Sequence, residues 1–250
     1  MRQGDGSFVP KMRQKGHSKK FKNLNKRDTP KSLKIWTKRS VLFVQSKKRA
    51  GEDKQVNKLE LENIKKKALE EHIPIIMDDT LIVIEEELKK NKPLNILEIG
   101  TAVGYSAICF SEFLKEGGMI DTIEREHDRV EEAYRNIKLA EVSGKINVIE
   151  GDAVEILPTL NKSYDMVFID ASKGKYPFFL KEALRMLAPN GIIFADNVLY
   201  KGYVLSDYNK HKQRTAVRNL REFLKELQEN ETLDTKILEV GDGLAIAKRK

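Results

Sequence analysis

The 250-residue sequence predicts an α/β fold, a parallel sheet with helices on both faces. Three observations carry that reading. From residue 95 onward, short apolar runs alternate with amphipathic stretches of helical length. Four successive runs end in an acid, at Glu124, Asp152, Asp170 and Asp196. A glycine turn, Gly100 to Gly104, follows the first run. In a parallel sheet such strand ends share one rim, where ligands bind.

The elements follow in order. Leu59, Leu61, Ile64, Ala68 and Leu69 predict an amphipathic helix closed by His72-Ile73-Pro74. Asp78-Asp79-Thr80 caps a second helix, with Leu81, Ile84 and Leu88 on one face, and Asn91-Lys92-Pro93 ends it. Strands near 95–100, 119–124, 146–150, 164–170 and 191–196 then alternate with helices near 104–115, 126–141, 153–160, 176–188 and 209–229. Lys236 to Val240 and Leu244 to Ala247, joined by Gly241-Asp242-Gly243, read as a closing hairpin. No internal repeat is present.

The turn after the first strand, Thr101-Ala102-Val103-Gly104, lacks the third glycine of the GxGxxG fingerprint. No Lys-Ser/Thr pair follows it, which excludes a P-loop as well. Its two glycines let backbone pass close to a ligand, and the helix amides beyond can face a carboxylate or other polar group. Glu124, at the end of the next strand, is placed to accept hydrogen bonds from both hydroxyls of a ribose. Asp152 and its neighbouring amides stand where an adenine edge could be read. Asp170, Asp196 and Asn197 are hard oxygen donors at adjacent strand ends and suit a divalent cation such as Mg²⁺. A strand-ending Asp also caps the helix that follows, so one acid alone decides nothing. The series of four does.

These residues resemble the class I S-adenosylmethionine-dependent methyltransferases. More narrowly, they resemble the cation-dependent O-methyltransferases that include the catechol and caffeoyl-CoA enzymes. The resemblance rests on Leu97-Glu98-Ile99-Gly100-Thr101-Ala102-Val103-Gly104-Tyr105-Ser106, on Asp170 with Lys173, on Asp196-Asn197, and on Val240-Gly241-Asp242-Gly243-Leu244. Within that family, Asp196 to Gly202, Asp207-Tyr208 with the basic helix, and Ile73-Pro74-Ile75 look most like the bacterial enzymes that methylate 5-hydroxyuridine in tRNA. The resemblance spans roughly residues 55–250. It implies a Rossmann-like seven-stranded, mostly parallel sheet with an antiparallel last strand. It also implies S-adenosylmethionine and Mg²⁺ as cofactors and a homodimer. Lys173 matches the family's catalytic lysine, and Asp170, Asp196 and Asn197 its metal ligands. Ile76, Glu98, Gly100, Ser106, Glu124, Asp152, Ala153 and Asp170 match its cofactor contacts.

Charge divides the chain into two parts. Residues 1–50 carry 16 Lys/Arg against two acids, Asp5 and Asp28, a net +14. With +8 for the whole chain, the remainder is net −6. The basic character therefore belongs to an extension, residues 1–54, whose Gly, Ser, Asn and Lys content predicts disorder. The resemblance makes residues 55–250 the methyltransferase domain. The extension reads either as an arm for RNA phosphates or as a stretch ahead of the native start. Within it, Leu33 to Val44 is the one part apolar enough to dock. The single cysteine, Cys109, permits no internal disulfide and suits the cytoplasm. No apolar run reaches the ~20 residues that span a bilayer.

The metal motif fits two acceptors, because a 5-hydroxyuridine and a catechol each offer two adjacent oxygens to one cation. Lys201 and the basic helix residues Lys210, Arg214, Arg218 and Arg221 read either as an RNA backbone clamp or as a solvated face; the resemblance over residues 196–208 favours the clamp and implies a tRNA anticodon loop as partner. Tyr200, Tyr203 and Tyr208 are placed to stack on a flipped base or to pack. The expected reaction is methylation of wobble 5-hydroxyuridine to 5-methoxyuridine. The alternative is a small-molecule catechol or phenol acceptor, and a third reading is a non-catalytic RNA-binding protein on the same fold.

Overall fold

A computed structural model describes residues 35–36, 56–207 and 213–250. The rest of the basic extension and residues 208–212, which include Tyr208 and Lys210, lie outside the described residues. Helices α1 (Lys58–Glu70) and α2 (Asp78–Asn91) lead into strand β2 (Asn95–Ile99). Then come α3 (Tyr105–Ser111), β3 (Met119–Glu124), α4 (His127–Leu139), β4 (Ile146–Glu150) and the single turn α5 (Ala153–Ile156). After these run β5 (Tyr164–Ile169), α6 (Tyr176–Met186), β6 (Leu187–Ala195), α7 (Arg214–Glu229), β7 (Leu233–Leu238) and β8 (Leu244–Arg249). A two-residue strand β1 (Ile35–Trp36), from the stretch expected to dock, pairs in parallel with β7.

The sheet order is β1-β7-β8-β6-β5-β2-β3-β4, and β8 alone runs antiparallel to its neighbours. This is the expected seven-stranded sheet with one short strand added at its edge. Order reverses between β5 and β2, the switch point where open α/β sheets bind ligands.

The sheet separates two apolar layers. Ile96, Phe168 and Phe194 face a layer with Ile64, Ile84 and Phe110, so α1 to α4 cover that side. Leu97, Ile99 and Val167 face a layer with Phe179, Leu220 and Phe223, from α6 and α7. Edge-to-face ring pairs seal each layer: Phe110 on Phe168 at 5.3 Å, and Tyr176 on Phe223 at 5.2 Å.

Helix ends differ from expectation where local chemistry intervenes. The helix expected over 104–115 stops at Ser111, because the next amides fold back to carbonyls three residues earlier, as in Phe113 N–H to Phe110. Pro158 turns the end of the helix expected over 153–160 into a 3₁₀ turn, Leu157–Thr159. The first strand of the closing hairpin starts three residues earlier than expected and ends at Leu238 rather than Val240, and the second runs two residues further, to Arg249.

Candidate active site

A cavity of about 490 Å³ opens at the carboxyl ends of β2 to β6, between the sheet rim and the segment Pro74-Ile75-Ile76. The sheet can crowd this tightly because residue 100 has no side chain. A Cβ on Gly100, at φ +106°, would lie 2.2 Å from the Asp170 carbonyl oxygen, so β2 and β5 end in contact only with glycine there.

One half of the cavity collects Glu124, Asp152, Ala153, Gly100, Ser106 and Ile76, all predicted from the sequence to hold a cofactor. Glu124 is held by backbone: its carboxylate accepts from the amides of Ala102 at 2.9 Å, Arg125 at 2.9 Å and Glu126 at 3.0 Å. The glycine turn and the end of β3 therefore fix one acid between them. Asp152 does both things open to a strand-ending acid. It caps α5 through the Val154 amide at 2.8 Å, and it lines the cavity.

Glu98 does not line the cavity. It is fully buried behind Ser106, whose hydroxyl donates to it at 2.5 Å. Thr122 donates to its other oxygen at 2.5 Å, and Thr101 lies 2.6 Å from Thr122. Burial pushes the Glu98 carboxyl up to about 7 against the two hydroxyl bonds, which favour its charged form. Glu98 thus reaches the pocket only through Ser106. Thr101 and Thr122 escaped the sequence reading, since nothing in their spacing shows that they meet.

The other half of the cavity holds Asp170, Lys173, Asp196 and Asn197. Asp170 follows β5 and Asp196 follows β6, and these strands pair through Ile169 and Ala195, so the two acids are neighbours by register. The Lys173 ammonium donates to Asp170 Oδ1 at 3.2 Å and to Asn197 Oδ1 at 2.7 Å. Asp196 is buried and accepts from the Asn197 amide at 2.7 Å. Burial, reinforced by the charge of Asp170, pushes its carboxyl up to about 7. Beneath both acids, the buried Tyr176 hydroxyl donates to the Asp196 carbonyl at 2.7 Å and lies 3.3 Å from that of Ile169, tying the two strand ends. Tyr176 was expected only as the start of a helix.

Among the described residues, no three His, Cys, Asp or Glu side chains gather as a metal cluster. The donors here are two carboxylates and one amide oxygen. Like charge crowds the buried Asp196, and an ammonium bridges the other two donors. Such an oxygen set, short of positive charge, fits a small hard divalent cation.

The basic residues divide. Lys201, Arg214 and Arg218 are exposed and outside the cavity lining, and Lys210 lies outside the described residues. Arg221 departs from the expected RNA clamp. Its guanidinium donates to the carbonyls of Val204 at 3.0 Å, Tyr203 at 3.2 Å and Ser206, so it holds the loop after Asn197. Asn219, two residues earlier on the same helix, donates to the Gly174 carbonyl at 2.6 Å, beside Lys173. These contacts span 15 to 45 residues, which no local pattern reveals.

The O-methyltransferase family profile matches residues 93–250. The chain is 36% identical over 162 residues to a catechol O-methyltransferase of Niastella koreensis, covering 61% of this chain and 72% of that protein. It is 33% identical to a caffeoyl-CoA O-methyltransferase of Medicago sativa, covering 65% and 69%. Among solved structures, an O-methyltransferase from Bacillus cereus in complex with SAH superposes with a TM-score of 0.71 at 25% identity, covering 85% of this chain and 96% of that one. TomG from Streptomyces achromogenes, in complex with SAM, gives 0.70 at 26%, covering 86% and 97%.

Proposed function

Because the chain belongs to the O-methyltransferase family, we propose that it moves the methyl group of S-adenosylmethionine to one hydroxyl of a small catechol-type acceptor, with a divalent cation at Asp170, Asp196 and Asn197. The carrying observation is the position of Lys173, within hydrogen-bond reach of both Asp170 and Asn197 on the wall of the cavity. When bound, the sulfonium supplies the methyl group and the cation makes the acceptor hydroxyl more acidic. The protein's own groups do the rest. Glu124 and Asp152 hold the nucleoside end, Gly100 gives it close approach, and Ser106, backed by Glu98, holds the amino-acid end. As the neutral amine Lys173 takes the proton from the acceptor hydroxyl, or as the ammonium it stabilises the oxyanion left when the proton has gone to solvent. Asp170 and Asn197 fix the place of the Lys173 nitrogen, so proton removal by the neutral amine and methyl transfer share one geometry.

Catechol and caffeoyl-CoA enzymes among the relatives support the small-molecule acceptor over RNA. The exposed Lys201, Arg214 and Arg218 keep a second reading, wobble 5-hydroxyuridine in tRNA, worth testing. The deciding assay supplies labelled S-adenosylmethionine and Mg²⁺ with either a catechol panel or tRNA containing 5-hydroxyuridine, each with and without chelator. Chelator-sensitive methylation of a catechol is expected. Label entering tRNA alone would reverse the choice of acceptor, and label insensitive to chelator would refute the cation.

A further inference from the structure

The loop that begins at Asn197 has an unusual backbone. Asn197, Tyr200 and Lys201 all sit in the left-handed region, at φ +55°, +45° and +58°, and Gly202 follows at +75°. Three non-glycine residues in that region within five positions hold it only if their surroundings impose it. Two devices do so. On one side lies the β7–β8 turn: the Val198 amide donates to the Gly243 carbonyl at 2.9 Å and the Leu199 amide to the Asp242 carbonyl at 3.0 Å. The Lys201 amide donates to the Asp242 carboxylate at 2.5 Å. Gly243 permits this approach, since a Cβ there would come 2.4 Å from Leu199 Cγ. On the other side, Arg221 holds the carbonyls of Val204, Tyr203 and Ser206. The turn is itself fixed to the start of α2, where Asp79 accepts the Gly241 amide at 3.1 Å.

We propose that Asp242 is a positioning residue, with Arg221 as its counterpart: together they hold the left-handed loop in the conformation that directs the Asn197 side-chain oxygen to Lys173. The proposal rests on the reading of Asn197 as a cation ligand but acts through geometry that can be tested apart from it. Asp242 supplies three things at once: a carbonyl for Leu199, a carboxylate for Lys201, and the turn that brings Gly243 against Leu199. Neither Asp242 nor Arg221 lines the cavity, so each acts on the pocket only through the loop.

The test uses full-length Asp242→Ala, Asp242→Asn and Arg221→Leu proteins. The readouts are SAH affinity by calorimetry, Mn²⁺ affinity by electron paramagnetic resonance, and hydrogen exchange of the 198–206 amides. In Asp242→Ala, Mn²⁺ affinity should fall about tenfold, the scale of one lost charge-assisted hydrogen bond, with SAH affinity within about twofold of wild type. Exchange should quicken over 198–206 and nowhere else. Asp242→Asn, whose amide oxygen still accepts the Lys201 amide, should recover most of both losses. Arg221→Leu should quicken exchange mainly over 203–206. Wild-type Mn²⁺ affinity and loop exchange in Asp242→Ala would overturn the proposal, as would an equal loss of SAH affinity. If the wild-type protein binds no Mn²⁺, the cation reading fails by itself. The loop amides then decide: quickening in the alanine variant, recovered in the asparagine variant, upholds the positioning role, and no quickening overturns it.

Discussion

At the scale of single residues, the site turns on which carboxyls are buried and what faces them. Lys173 has two oxygen partners and a path to the cavity. Lys173→Ala should lower kcat by about 10²- to 10⁴-fold, the usual contribution of a positioned proton acceptor, while SAH binding by calorimetry stays near wild type. Glu98 gives a separate handle through pH. Its carboxyl is raised in the folded protein from 4.5 to about 7, so the protonated form is favoured by folding. Its contribution to stability is complete below pH 4.5 and is lost as pH rises to 7, on the order of 3 kcal/mol in all. Glu98→Gln cannot ionise, so its melting temperature relative to wild type should rise between pH 5 and pH 8. A difference independent of pH would contradict the buried, raised carboxyl. The strand-end acids were legible in the sequence because an acid after an apolar run lands on the rim whatever the tertiary detail. The burial of Glu98 was not, since it depends on hydroxyls from two other elements, at Ser106 and Thr122.

At the scale of elements, the acids are useful only because strand ends are locked together. Gly100→Ala would force a Cβ into the Asp170 carbonyl and add strain at φ +106°. A loss of about 2 kcal/mol or more is expected, seen as a lowered thermal midpoint together with weakened SAH binding. Tyr176→Phe leaves the Asp196 carbonyl without its buried donor. It should cost about 1–2 kcal/mol, or roughly 3–6 °C in thermal midpoint for a protein of this size. Activity should fall beyond that, because the spacing of Asp170 and Asp196 loosens. Helix α7 shows what reading by element leaves out. Its basic periodicity suggested a surface for phosphates, yet Arg221 satisfies loop carbonyls and Asn219 secures the turn bearing Lys173. A sequence shows that a helix face is charged; it does not show which backbone lies within reach of that face.

At the scale of the whole molecule, topology performs the assembly. Order reverses between β2 and β5, so residues far apart in the chain meet on one rim, with Glu124 and Asp152 toward β3 and β4 and the lysine-centred group toward β5 and β6. That much was legible, because alternation of strand and helix restricts the sheet to few arrangements. The edge strand β1 was legible only as an apolar stretch, since pairing of Ile35 and Trp36 with β7 needs a partner two hundred residues away. Among the described residues no helix is long and apolar enough to cross a membrane. The most direct test of the account is a crystal structure of the protein grown with SAH and Mn²⁺, with anomalous scattering recorded at the manganese edge. One peak within about 2.5 Å of oxygens from Asp170, Asp196 and Asn197 together is the predicted result. Manganese absent from that place, or bound without all three, would contradict it.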